Sequence, residues 1–285
     1  MPELNKETIG KEYPESEVEV KQHETIYYAV STNDPNPWYM DAVREEGIIA
    51  PPMYAVNYGG SALGQVFFDK EVGEGFMAFL VHGEQDIEWF KAVRPGQKVK
   101  TKGRIKDIVD KGSGELLKVE STTSDSESGD MVCRQSFNFF VRGYGKMEKK
   151  AKSPEPEEDR SKQAFQSKEN VLYGQTFLYA EPSGDHNPIH VNDEFAKKVG
   201  LGGIILQGLC TMAFCHKAVV GNVCEGNPLK LKRLFVRFSK PVRPGDEITI
   251  TGWWKDDSTV GFEAATQNGE LVIKGGHAEI GDVAL

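Results

Sequence analysis

Asp34-x-Asn36-Pro37-x-Tyr39 returns as Asp185-x-Asn187-Pro188-x-His190, 151 residues further on (185 minus 34). Two more matches follow in the same order. Gly47-Ile48-Ile49-Ala50-Pro51-Pro52-Met53 parallels Gly203-Ile204-Ile205-Leu206-Gln207-Gly208-Leu209. Val93-Arg94-Pro95-Gly96 parallels Val242-Arg243-Pro244-Gly245, at a spacing of 149 (243 minus 94). Ordered matches at nearly constant spacing indicate an internal duplication, so the chain is expected to fold as two copies of one unit. Its 285 residues give each copy enough length for a core of its own.

Each copy has the same grammar. Asn-Pro opens a short helix, with Asn as N-cap and Pro at the first helical position. A longer apolar segment follows, at 52–68 and at 208–222. In the second copy strand-like runs lie near 229–239, 246–254, 259–266 and 270–280. Ile248-Thr249-Ile250-Thr251 alternates with period two, and Asn268-Gly269 is a hairpin signal. A buried helix followed by antiparallel strands predicts an α+β unit, a sheet wrapped around a helix. Residues 1–20 read as a polar lead-in or edge strand, and 25–30 as a strand or short apolar element. The expected division is an N-terminal repeat at 1–145, a charged, proline-bearing linker at 146–170 and a C-terminal repeat at 171–285. His216, Cys210 and Cys215 fall in an apolar run and are expected in the core.

Composition narrows the class. Apolar residues make up 39% and charged residues 27%, and no run nears the ~18 apolar residues of a membrane span. The start lacks an apolar signal core, which predicts a cytoplasmic or peroxisomal protein rather than a secreted one. The four cysteines show no CxxC spacing, and His186 and His190, the one pair at HxxxH spacing among the six histidines, have no third histidine near them in sequence, so neither a disulfide framework nor a metal site is expected. A net charge of −9 argues against a nucleic-acid partner, though local basic patches can still hold an anionic ligand.

The second copy gathers Asp185, Asn187 and His190 within one turn of chain, and a run ending Lys197-Lys198-Val199-Gly200 is expected to close the helix begun there. On the local pattern alone Asp185 could shape a loop and His190 could decorate a helix start. The wider pattern favours chemistry. Ser183-Gly184-Asp185-His186-Asn187-Pro188-Ile189-His190, followed by Ile204-Ile205-Leu206-Gln207-Gly208-Leu209-Cys210, resembles the hydratase 2 signature of MaoC-like, (R)-specific enoyl-CoA hydratases. His82-Gly83-Glu84-Gln85 and Val236-Arg237-Phe238-Ser239 are similar to two-copy members of that family. The resemblance covers most of the chain. It implies a double hot-dog fold and a hydro-lyase of fatty acid metabolism, such as β-oxidation. The implied reaction is reversible addition of water to trans-2-enoyl-CoA, on a coenzyme A thioester with no further cofactor. It implies that Asp185 and His190 are catalytic, that Asn187 helps hold the water and that the Gly208 N–H binds the thioester oxygen. Gln207 departs from the His frequent before this glycine, and Gly202-Gly203 from an Arg-Pro pair; both departures are expected to affect rim contacts.

Water addition to an enoyl thioester needs a base, a proton donor and a stabiliser of the enolate-like oxygen. A carboxylate and an imidazole can move the protons, and the unpaired N–H of a helix start can meet the oxygen. The first copy keeps Asp34 but has Tyr39 for His190 and Pro52, which has no N–H, for Gly208. One active site per chain is therefore expected, in the second half, with the first half on the acyl side. Lys230, Lys232, Arg233, Arg237, Lys240 and Arg243 form a basic run where the first copy carries Glu84, Asp86 and Glu88. Arg233 and Arg237, with Lys197 and Lys198, are the candidates for the coenzyme A phosphates, the other reading being a solvated strand face. A homodimer is expected. The alternative functions are a hot-dog acyl-CoA thioesterase and a non-catalytic acyl-CoA binding module.

Overall fold

The computed structural model describes residues 2–146 and 158–285. Its centre is one antiparallel sheet of ten strands, ordered β1-β3-β4-β5-β2-β7-β10-β9-β8-β6. The first half supplies β1 (Ser16–Glu19), β2 (Leu80–Trp89), β3 (Lys98–Asp110), β4 (Gly114–Asp125) and β5 (Met131–Arg142). The second supplies β6 (Gln163–Asn170), β7 (Leu231–Phe238), β8 (Glu247–Trp254), β9 (Thr259–Thr266) and β10 (Leu271–Ile280). Read from each outer edge inward, the halves have the same order, 1-3-4-5-2 and 6-8-9-10-7. They join where β2 pairs with β7, from Glu84↔Arg237 to Glu88↔Arg233. This is the expected double hot-dog.

The sheet wraps two helices, α3 (Ala55–Phe67) and α7 (Gly208–Val223). Cys210, Met212, Phe214, Cys215 and Val219 of α7 are fully buried in the larger core, and His216 is buried with them, edge-on to Trp89. The smaller core of the first half gathers Phe137, Phe139, Ile105 and Leu117 beneath Val66.

The stretch 25–30 is a helix and not a strand: α1 spans Gln22–Ser31, and the short α2 (Pro37–Met40) follows it at the first Asn-Pro pair. Its aromatic and β-branched residues favour strands, but Thr25, Tyr28 and Ala29 are buried at helical spacing against α4 (Gln175–Ser183). Tyr28 and its repeat partner Tyr179, 151 residues apart, meet edge-to-face with their hydroxyls 3.3 Å apart. Equivalent residues in contact mark the pseudo-twofold between the halves. The lead-in is pinned rather than loose: Leu4 and Tyr13 are buried, and Ser16–Glu19 is the edge strand β1. Residues 147–157 of the charged linker lie outside the described residues. Its last part is not linker at all, because Gln163–Asn170 forms β6 along β8. Among the described residues no helix is long and apolar enough to cross a membrane.

Candidate active site

Local hydrogen bonding shapes the loop that carries the candidate catalytic residues, here called the catalytic loop. Helix α4 ends at Gly184, whose φ of +69° is a left-handed conformation that glycine adopts without strain. Ser183 Oγ donates to the Tyr179 carbonyl at 2.6 Å and accepts the Asp185 N–H at 3.2 Å. Asp185 Oδ1 accepts the Asn187 N–H at 3.3 Å, and Asn187 caps α5 (Pro188–Val191) through the Ile189 N–H. The single helix expected from Pro188 to Gly200 is two. Asn192, extended at φ −131° and ψ 103°, ends α5 and caps α6 (Asp193–Lys198) by accepting the Phe195 N–H. Asparagine's side chain competes with the helix for backbone donors, and here it wins.

That break leaves His190 alone on a one-turn helix, its side chain only 9% exposed. Its Nδ1 lies 2.7 Å from the Ile205 carbonyl oxygen. A carbonyl only accepts, so Nδ1 carries a proton and Nε2 is the ring nitrogen turned toward Asp185. Nε2 and Asp185 Oδ2 are 3.8 Å apart, too far for a direct hydrogen bond and suited to one shared water. Asp185 is 41% exposed, and both residues face a cavity of about 1880 Å³. Asn187 and Gly208 line the same cavity. Gly208 is the first residue of α7, where an N–H has no acceptor within the helix and stands at its positive end.

The first half builds the opposite wall. Gly60, Gly64 and Phe67 of α3, His82 of β2, and Phe137 and Phe139 of β5 all line the cavity. A Cβ on Gly60 or Gly64 would meet nothing within 4 Å, so these glycines widen the space rather than seat a neighbour. His82 packs among the rings of Phe137, Phe139 and Phe238, and burial lowers its pKa to about 4, so it stands neutral. Asn57 Nδ2 donates to the Pro182 carbonyl at 2.5 Å, tying α3 to the catalytic loop across the halves. Neither role is visible in local sequence.

The basic run turns out differently. Arg233 gives Nε and Nη2 to Asp86, at 2.9 and 2.7 Å, and Nη1 to Glu279 at 2.9 Å. Arg237 Nε donates to Glu84 at 3.0 Å. The charge contrast between the copies therefore fastens β2 to β7. Of the four residues expected to meet phosphates only Arg237 lines the cavity, beside Lys240 and Lys274. Arg233, Lys197 and Lys198 do not, and Lys197 pairs with Asp193 at 2.5 Å. Gln207 is also misplaced as a rim residue: it is fully buried, its Nε2 donating to the carbonyls of Thr176 and Asp185 at 3.0 and 3.3 Å.

The matching place in the first half is altered. Tyr39 is fully buried with no partner for its hydroxyl among the described residues, and Pro52 uses its carbonyl to accept the Trp89 indole N–H at 2.9 Å. Asp34 is only 8% exposed, and burial raises its pKa to about 6 against the favourable field of Lys217. A carboxyl raised in the folded state binds a proton that the unfolded chain has lost, so this term destabilises as pH rises from about 4 through about 6. The full effect is roughly 3 kcal/mol. Asp34→Asn is expected to raise stability to urea at pH 8 by about 1–3 kcal/mol and to change it little at pH 4. Equal shifts at both pH values would show that the effect is not ionisation.

Two copies of a sheet around a helix define a double hot-dog protein, and only the second copy carries a complete Asp–His–N–H set. Residues 155–274 match the MaoC like domain, and residues 7–135 match the FAS1-like dehydratase domain region. "Probable enoyl-CoA hydratase 2" of Dictyostelium discoideum is 30% identical over 91% of this chain and 85% of its own length. "Enoyl-CoA hydratase 2, peroxisomal" of Arabidopsis thaliana is 29% identical over 71% of this chain and 69% of its own. The crystal structure of a MaoC-like dehydratase from Phytophthora capsici superposes with a TM-score of 0.83 at 26% identity, covering 97% of this chain and 98% of that one. The chain belongs to the MaoC-like dehydratase family, on its enoyl-CoA hydratase 2 branch.

Proposed function

We propose that the protein adds water reversibly to trans-2-enoyl-CoA to give (R)-3-hydroxyacyl-CoA. One observation carries this: the Asp185–His190 pair and the Gly208 N–H open onto one cavity whose far wall comes from the other half. A water held between Asp185 Oδ2 and His190 Nε2 gives up a proton to the pair as its oxygen attacks C3. The pair delivers a proton to C2, and the enzyme returns to its starting state. The Gly208 N–H stabilises the enolate-like oxygen that forms between these steps. Asn187 has an Nδ2 without a protein partner among the described residues, which suits it to hold the water. The chemistry requires only water and the thioester. The hydratase names of the relatives support the same reading.

The first half is read as non-catalytic, supported by Tyr39 and Pro52, with the acyl chain lying along Gly60, Gly64 and the phenylalanines of β5. The coenzyme A phosphates are read as meeting Arg237, with Lys274 opposite it across the β7–β10 ladder. Arg237→Glu is expected to raise KM for the CoA ester several-fold with kcat little changed, while Lys197→Glu changes neither. An unmoved KM in Arg237→Glu removes the assignment. Large apolar side chains exposed on the paired helices α1 and α4, among them Tyr27, Val30 and Phe177, support a homodimer, which sedimentation equilibrium would test. A peroxisomal location follows the Arabidopsis relative and is tested by imaging the tagged full chain; a cytoplasmic location is the other outcome.

The deciding assay is hydration of trans-2-enoyl-CoA, with the product read by (R)- and (S)-specific dehydrogenases and free thiol followed in parallel. An (R) product without thiol release is expected. Thiol release from saturated acyl-CoA would instead mark a thioesterase, and binding without turnover a binding module.

A further inference from the structure

Gln207 touches both ends of the reacting system. Its peptide bond to Gly208 carries the N–H assigned above to the thioester oxygen, at the start of α7 on the cavity wall. Its backbone carbonyl accepts the Cys210 and Thr211 N–H groups, at 3.1 and 3.3 Å, and so begins α7. Its side chain turns back under the catalytic loop. Nε2 donates to the Thr176 carbonyl at 3.0 Å and to the Asp185 carbonyl at 3.3 Å. Both neighbours are acceptors, which fixes the orientation of the amide. One side chain thus fastens the main chain of Asp185 to the helix start that supplies the oxyanion donor.

The side chain is costly to keep if it only fills space. It is fully buried, and its Oε1 has no hydrogen-bond partner among the described residues. An orphaned buried acceptor is destabilising, and an apolar side chain of the same volume would avoid it. The first half offers a comparison within the same chain. The residue aligned with Gln207 is Pro51, which has no side-chain donor, and it stands in the copy that has also lost the imidazole and the Gly208 N–H.

We infer that Gln207 is a positioning residue: it sets the distance between the Asp185 carboxylate and the Gly208 N–H, so that both meet one enoyl thioester at once. The inference rests on the hydratase reading. Water addition suits such a device, because proton transfer at C2 and C3 and charge at the thioester oxygen develop together. A misplacement of about 1 Å between two such groups lowers turnover by roughly 100-fold without removing any group that binds substrate.

The test is Gln207→Met in the full chain, read by enoyl-CoA hydration kinetics and by amide hydrogen exchange of the segment 183–190. The expected result is a kcat lower by about 10- to 100-fold, KM within about threefold, and faster exchange in the loop. A kcat within twofold of wild type overturns the inference. Loop exchange equal to wild type overturns it whatever the activity, and that readout stands even if no enoyl-CoA is hydrated, a failure that would count against the hydratase reading alone. Should Gln207→Met not fold, Gln207→Asn keeps the amide but is too short to span both carbonyls, and the same losses are expected.

Discussion

Asp185→Asn is expected to lower kcat for enoyl-CoA hydration by about 10²–10⁴-fold while leaving KM and thermal stability close to wild type. The amide is isosteric. It can still accept the Asn187 N–H through Oδ1, and the Ser183, Gly184 and Gln207 contacts that shape the loop involve the backbone of residue 185 or its neighbours. What it cannot do is take a proton from water or return one. Stability should hold because the carboxylate is 41% exposed and has no ion pair at hydrogen-bond distance among the described residues, His190 Nε2 being 3.8 Å away. His190→Gln should lose activity on a similar scale, because the glutamine amide has no basic nitrogen to replace Nε2. The measurement is steady-state hydration beside a melting curve for each variant. More than a tenth of wild-type kcat in Asp185→Asn would sink the assignment of this pair. A loss of both activity and Tm would instead place Asp185 in the folding of the loop.

Features set by local chemistry were readable in the sequence, and features set by distant partners were not. The Asn-Pro caps at 36–37 and 187–188 depend on a side chain meeting an N–H two residues on, and both occur as expected. The repeat was readable because equal sequences make equal units, and the strand orders of the halves match. The four strands of the second copy were readable from alternation and turns. Residues 25–30 were misread because their propensity is for strand, while the contact that decides them is Tyr28 on Tyr179 in the other half. Residues 163–170 were misread because an edge strand shows most of its side chains to water, so its composition is that of a linker; only Phe165 is buried. Arg233 was misread because Asp86, which binds it, lies 147 residues away in sequence. Gln207 and Asn57 act on the main chain of the catalytic loop, and main-chain partners leave no signature in side-chain pattern. The candidate site's Asp185, Asn187 and His190 stood out in the sequence because they lie within one turn of chain, and they line one cavity in the fold.

Gly208→Pro should separate the proposed oxyanion donor from everything else that glycine does. Proline is accepted at the first position of a helix, where its missing N–H leaves no intrahelical bond unmade. The preceding residue must be extended, and Gln207 already is, at φ −58° and ψ 133°. The substitution also adds a Cβ, which would lie 3.1–3.3 Å from the Phe238 ring and push on the cavity wall. Gly208→Ala adds the same Cβ and keeps the N–H, so it carries the steric effect alone. Loss of one oxyanion donor is expected to reduce kcat by about 10²–10³-fold in the proline variant beyond whatever alanine costs. The ratio of the two variants, taken at saturating enoyl-CoA, is the quantity to measure. The first half is already built this way, with Pro52 at the start of the turn leading into α3, and it supports no second site if the donor is essential. Equal activities in Gly208→Pro and Gly208→Ala would mean that glycine serves packing against Phe238, and the thioester oxygen would then need a different partner in the cavity.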